Sequence, residues 1–323
     1  MSSLTRRSLV IGAALAPVVA RAQTWPAGLV RIVVPFPAGG SVDAVARLVQ
    51  AGLQQRLGVS VLIENRAGGS GSVGAATVAK SPPDGNTWLF VFDTHAVNPS
   101  LIPNLPFDTH KDLEPVLLIG TAPNVLAAHP SRPYKSLRDL IEAAKAKPDL
   151  ISYATIGAGS LGHLTMVLLS QQAGVRLVHV PYRGGGPAMN DAIGGHVDLI
   201  IGSAALVSPQ LQAGALRPLV QTGATRQPTL PDLPTVSESG FPAFESLAWW
   251  GVFAPAGTPK PILDRFRVDL SATLREERIA KQLTETQQVS LRLEGPDAFR
   301  KFFDDQARIW GAVVRDNGIK AES

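Results

Sequence analysis

Gly39 and Gly40 stand directly before Ser41 and Asp43 in the run RIVVPFPAGGSVDAVARL, residues 31–48. Residues of these types at this spacing offer one kind of chemistry, the capture of a small anion by peptide N–H groups. A helix that starts here leaves its first-turn N–H groups without intrahelical acceptors and carries about half a positive charge at that end, so it needs no basic side chain. Glycine adds close approach to the backbone. The pattern recurs at Gly157-Ala158-Gly159-Ser160 and at Tyr182-Arg183-Gly184-Gly185-Gly186. If two domains bring such ends face to face, they close on one anion. The same residues also read as ordinary strand-to-helix turns of an α/β core.

The elements that must position these turns follow from periodicity. Ile32, Val33 and Val34 form a short apolar strand. Ser41 reads as the N-cap of the next helix and Asp43 as a first-turn charge, while Val42, Val45, Ala46, Val49 and Leu53 recur at helical spacing. Strands are expected at 59–64 and 87–92, the latter ending at Asp93, with a Pro-Pro-Asp-Gly turn at 82–85. Alternation of strand and helix predicts parallel pairing, with ligands at the carboxyl ends of the strands. Two separate apolar runs, 114–120 and 124–128, precede a helix at 136–147 and a strand at 152–155. Ser160 then caps a helix reaching Ala173, and a strand at 176–180 leads to a helix opened by Pro187. Further strands are expected at 197–202, 216–222 and 250–254, and helices from Pro259 and Pro296. In the last, Phe299, Phe302, Phe303, Trp310, Val313 and Val314 make an apolar stripe that reads as core packing.

Residues 1–22 read as an export leader: Arg6-Arg7, an uncharged apolar stretch to Val19, and the small-x-small site Ala20-Arg21-Ala22. The twin arginine points to the Tat route, with Sec as the alternative. The formal charge of +4 falls by the leader's three arginines to +1 in the mature chain, which removes the main support for nucleic-acid binding. With no cysteine there is neither disulfide nor thiolate chemistry. A chain of about 300 residues buries roughly three quarters of its unfolded surface, enough for two domains held by their cores alone.

Other chemistries are visible and weaker. Gly69-Ser70-Gly71-Ser72-Val73-Gly74 has the form of a dinucleotide fingerprint, with Asp93 about twenty residues on. The helix after it is short, the unit is not the first of its sheet, and an exported chain meets little NAD, so the glycines read as a loop at the cleft edge. Ala158-Gly159-Ser160-Leu161-Gly162 resembles a hydrolase elbow with its first glycine replaced, and His163 is too near in sequence to be the distant base such sites use. None of the six histidines has metal-ligand spacing. His95, just past a strand end, is placed near a ligand, and Arg183 is a candidate partner for a second carboxylate.

Taken together the motifs resemble the Bug family, the extracytoplasmic solute receptors of tripartite tricarboxylate transporters. The matching pieces are VPFPAGG at 34–40 with Asp43 and Arg47, ENRAG at 64–68, PDGNT at 83–87 and NPS at 98–100. GAGS at 157–160, PYRG at 181–184, LPTV at 233–236 and GVFAPAGTP at 251–259 continue the set over essentially the whole mature chain. The resemblance implies an α/β, two-lobed periplasmic binding protein of the type II arrangement, each lobe a sheet flanked by helices. Lobe 1 would comprise 23–123 and 224–323, and lobe 2 would comprise 124–223. It implies a ligand carboxylate held between Phe36, Pro37, Ala38, Gly39, Gly40, Ser41 and Asp43 on one side and Tyr182, Arg183, Gly184, Gly185 and Gly186 on the other. Gly157, Gly159, Ser160 and His163 would line the second lobe. Ser203 completes the candidate set, at the end of the run 199–203 where this chain departs from the family's Phe-Asp or Phe-Asn.

The expected function is capture of a mono-, di- or tricarboxylate, amino-acid and aromatic acids included, and delivery to a permease, by a periplasmic monomer that uses no cofactor or metal and makes no bond. The alternatives are an exported serine hydrolase using Ser160 and a sensor for a signalling partner.

Overall fold

The computed structural model describes residues 25–182 and 184–321, so the leader and Arg183 lie outside the described residues. In chain order the elements are β1 (Val30–Val34), α1 (Ser41–Leu57), β2 (Val61–Asn65), α2 (Ser72–Ala79), β3 (Thr87–Phe92), α3 (Thr94–Leu101) and β4 (Leu113–Ala128). Next come α4 (Leu137–Ala146), β5 (Ser152–Thr155), α5 (Leu161–Ala173), β6 (Val178–Pro181), α6 (Gly185–Ile193), β7 (Leu199–Ser203), α7 (Ala204–Gln212) and β8 (Arg217–Gln221). The chain ends with β9 (Leu247–Pro255), α8 (Lys260–Leu274), α9 (Glu277–Lys281), β10 (Ser290–Glu294) and α10 (Pro296–Asp316).

The strands lie in the order β2-β1-β3-β9-β4-β7-β5-β6, with β8 and β10 also on β4. β1 is parallel to β2 and β3, as the strand–helix alternation predicts, and β5 is parallel to β6 and β7. β4 belongs to both halves. Its residues 113–123 pair antiparallel with β9, and its residues 124–128 pair antiparallel with β7 and β8. A second passage of the chain is tied to that switch: Asn124 N–H donates to Thr222 Oγ1 at 2.9 Å, and Thr222 N–H donates to Asn124 O at 3.0 Å.

Each half has its own core. Around β1, β3 and β9 the apolar stripe of α1 is buried as its spacing predicts, and Trp88 stacks on Phe266 with ring centroids 3.7 Å apart. On the other face Trp249 and Phe253 pack against Phe299 and Phe303 of α10. Around β5 and β7 the core is Leu126, Tyr153, Leu169, Leu199 and Ile201 on one face and Ala127, Met189, Ile200 and Val207 on the other. Burying one such side chain contributes about 1.5–3 kcal/mol, so each half holds together without disulfides.

Three expectations need correction. The two runs at 114–120 and 124–128 are one strand, because β4 absorbs Pro115 next to a bulge and Pro123 where its partners change. The helix of α1 begins one residue earlier than read, with Gly40 as N-cap and Ser41 inside. Pro187 is the third residue of α6 and not its first, which the helix tolerates because that N–H has no intrahelical acceptor. No helix among the described residues is long and apolar enough to cross a membrane.

Candidate functional site

The N-termini of five helices line one cavity of about 560 Å³. α1 contributes Gly39, Gly40, Ser41 and Val42, preceded by Phe36, Pro37 and Ala38; α6 contributes Gly184, Gly185, Gly186 and Pro187. Asp93 and Thr94 come from the start of α3, Leu161 and Gly162 from α5, and Ser203, Ala205 and Leu206 from the start of α7. Ala44, Phe92, Asn124, Ile156, Ile201, Gly202 and Gln287 complete the wall. Such a volume suits a small organic ligand.

On the α1 side the loop is held by a carboxylate. Gly39, at φ 81°, takes the left-handed conformation that turns its N–H onto Asp43 Oδ2 at 2.8 Å. Arg47 Nε donates to the same oxygen at 2.8 Å, and Asn65 Nδ2 donates to Asp43 Oδ1 at 2.9 Å and to Phe36 O at 3.1 Å. Burial pushes the Asp43 carboxyl up, but the hydrogen bonds from Arg47, Gly39 and Asn65 outweigh it and hold the group below its ordinary value. Ser41 Oγ accepts from Trp250 Nε1 at 2.9 Å. The first intrahelical bond is Ala44 N–H to Gly40 O at 2.9 Å, so the N–H groups of Ser41, Val42 and Asp43 precede it without intrahelical acceptors.

On the other side an imidazole takes that part. Gly159 N–H donates to His163 Nδ1 at 3.1 Å, again from a glycine of positive φ, at 73°. His163 lies flat on His179, with centroids 3.8 Å apart, and His179 Nε2 bonds Thr155 Oγ1 at 2.7 Å. Burial lowers the His163 pKa to about 4; burial, and then the neighbouring His163, lowers that of His179 to about 3. Ser160 caps α5, its Oγ accepting from His163 N–H. Tyr182 Oη donates to Asp191 Oδ2 at 2.6 Å. Burial, and then that carboxylate, raise the Tyr182 pKa to about 12.

Of the sequence candidates, Phe36, Pro37, Ala38, Gly39, Gly40, Ser41, Gly184, Gly185, Gly186 and Ser203 are brought together on this wall. Asp43, Gly157, Gly159, Ser160, His163 and Tyr182 are not among its lining residues, and all but Gly157 make the bracing bonds just described. His95 is placed elsewhere. It is buried with its ring 5.0 Å from that of Phe253 and 5.7 Å from that of Phe303, and burial followed by the charge of His110 lowers its pKa to about 3. Ser160 is 4% exposed and His163 Nδ1 faces a backbone amide, so these two form no nucleophile–base pair. The glycines at 69–74 do not line the cavity either: a side chain at Gly71 would meet Phe36, and one at Gly74 would meet Pro35. Sequence reasoning missed Thr94, Asn124, Leu206 and Gln287, and met Asp93 only as a strand end and as part of the dinucleotide pattern. Its place at the carboxyl end of β3 was the available clue.

A family model described as tripartite tricarboxylate transporter family receptor matches residues 45–319. The chain belongs to that receptor family. The BugT protein of Bordetella pertussis is 35% identical over 325 residues, covering 98% of this chain and 99% of the relative. Among solved structures similar to this receptor, an R. palustris protein with adipate is 35% identical with a TM-score of 0.84, over 91% of this chain and 99% of the other. MatC from Rhodopseudomonas palustris with bound malate is 31% identical with a TM-score of 0.78, over 90% and 100%. The receptor thus has the two-lobed α/β fold of periplasmic binding proteins, and it is a Bug-family receptor, as its motifs imply.

Proposed function

We propose that this receptor works in the periplasm, after export by its 1–22 leader, where it closes on a small carboxylate and hands it to a tripartite tricarboxylate transporter permease. Lobe 1 is assigned to 23–123 with 224–323 and lobe 2 to 124–223, hinged where β4 changes partners and Asn124 meets Thr222. The observation that carries this reading is that the glycine-rich starts of α1 and α6, from opposite halves of the sheet, line the same cavity. N–H groups of Ser41, Val42, Gly185 and Gly186 are the donors assigned to the carboxylate. Four such charge-assisted bonds at about 1.5–3 kcal/mol each cover the roughly −8 kcal/mol of micromolar binding once ordering costs are met. The carboxylates adipate and malate in similar structures support the ligand class. With no nucleophile–base pair at Ser160, the ligand is expected to leave unchanged.

A thermal-shift panel of succinate, malate, adipate, citrate and L-glutamate tests the reading. At least one is expected to raise Tm, and Gly185→Val to abolish that rise while leaving the unliganded Tm nearly unchanged. A Cβ there meets only the flexible end of Leu206, at 2.9 Å, so the fold accommodates it while the cavity narrows. Equal ligand response in the variant would remove the helix-end site.

A further inference from the structure

Asp93 is the one titratable side chain among the described residues that line the cavity. It is 3% exposed, and its Oδ2 has no hydrogen-bond partner. Two neighbours on the same wall are in the same position: Thr94 Oγ1 and Asn124 Nδ2 are buried without partners. Polar groups buried in a folded protein are nearly always satisfied, so three orphans on one wall mark where a ligand's polar groups belong. Burial pushes the Asp93 carboxyl well above the usual carboxylate range, and the hydrogen bond from the Thr94 N–H opposes that shift.

The deduction rests on the receptor reading above and concerns what the ligand carries besides its carboxylate. A second carboxylate would come to a wall that holds another carboxyl group and, among the described residues, no cation. An ammonium reverses the balance. It brings three donors to acceptors that lack them, and its charge favours the carboxylate form of Asp93 that burial alone opposes. We propose that Asp93 makes this cleft select a carboxylic acid that also bears a protonated amine, an amino-acid-type zwitterion, with its carboxylate at the starts of α1 and α6 and its ammonium on Asp93. Thr94 Oγ1 is the second acceptor for the ammonium, and Asn124 Nδ2 donates to an oxygen of the ligand.

Titration calorimetry on the mature protein with pairs differing only in the amine tests this: L-glutamate against glutarate, L-leucine against 4-methylpentanoate, and 5-aminopentanoate against pentanoate. At least one amine-bearing member is expected to bind ten times or more tighter than its partner, a comparison that needs no variant. Asp93→Asn, which keeps the shape of the side chain, is expected to lower that preference tenfold or more and to strengthen glutarate. Tighter binding of the amine-free members throughout, or a preference untouched by Asp93→Asn, overturns the proposal and leaves the receptor reading standing, with Arg183 then the residue to examine as counter-ion to a dianion. Absence of binding by these ligands and by succinate, malate, adipate and citrate overturns both.

Discussion

Gly39 and Gly159 are turned the same way by different chemistry. Each lies at positive φ before a helix that borders the cavity, and each donates its N–H to a side chain four residues on. On the α1 side the acceptor is the Asp43 carboxylate, neutralised by Arg47 and fixed by Asn65. On the α5 side it is the neutral imidazole of His163, held flat by His179. A carboxylate next to a helix start would repel an incoming anion, and the Arg47 guanidinium offsets that charge without entering the wall. A neutral ring needs no such offset, but it braces its loop only while its Nδ1 lone pair is free. One geometry thus has two different breaking points.

The largest effect is expected from Asp43→Ala. It removes the acceptor of three hydrogen bonds, which at 2% exposure costs about 2–3 kcal/mol of stability by urea unfolding and about tenfold or more in ligand affinity. A smaller effect separates the two braces by pH. His95 and His179, with pKa about 3, and His163, with pKa about 4, refuse a proton that their unfolded counterparts take near pH 6.5, so stability present above about pH 6.5 is lost as pH falls toward 4. His163→Gln keeps an acceptor for Gly159 and no longer titrates, so the slope of unfolding free energy against pH in that window is expected to shrink. Asp43, lowered in the fold, contributes stability that is lost only as pH falls below its unfolded value of about 4, so Asp43→Asn should leave the slope above pH 5 unchanged. The smallest effect is expected from Tyr182→Phe, which deletes the bond to Asp191 behind α6. It should cost about 0.5–1.5 kcal/mol and weaken ligand affinity about threefold or less.

What was legible in the sequence was what short-range physics dictates. The strands 87–92 and 152–155 were read with their observed limits, since turn residues fence each apolar run. The glycine-rich starts of α1 and α6 announced the part of the wall made of backbone. α3 and α7 escaped because each carries an internal proline, Pro99 and Pro209, that a sequence reading takes for a boundary. The polar residues of the wall escaped for another reason. Asp93 and Asn124 sit at the ends of apolar stretches whose partners lie far along the chain, and only the assembled sheet shows what each faces. His95 misled in the opposite direction, because a histidine after a strand end looks exposed until the aromatic rings of β9 and α10 close over it.

The indole of Trp250, hydrogen-bonded through Nε1 to the first residue of α1, equips the molecule with an optical gauge. An anion settling on that helix start changes the electric field at a fluorophore one side chain away. Emission from this ring should therefore shift in colour or intensity as the cleft fills, and stopped-flow mixing would follow loading in real time without a dye.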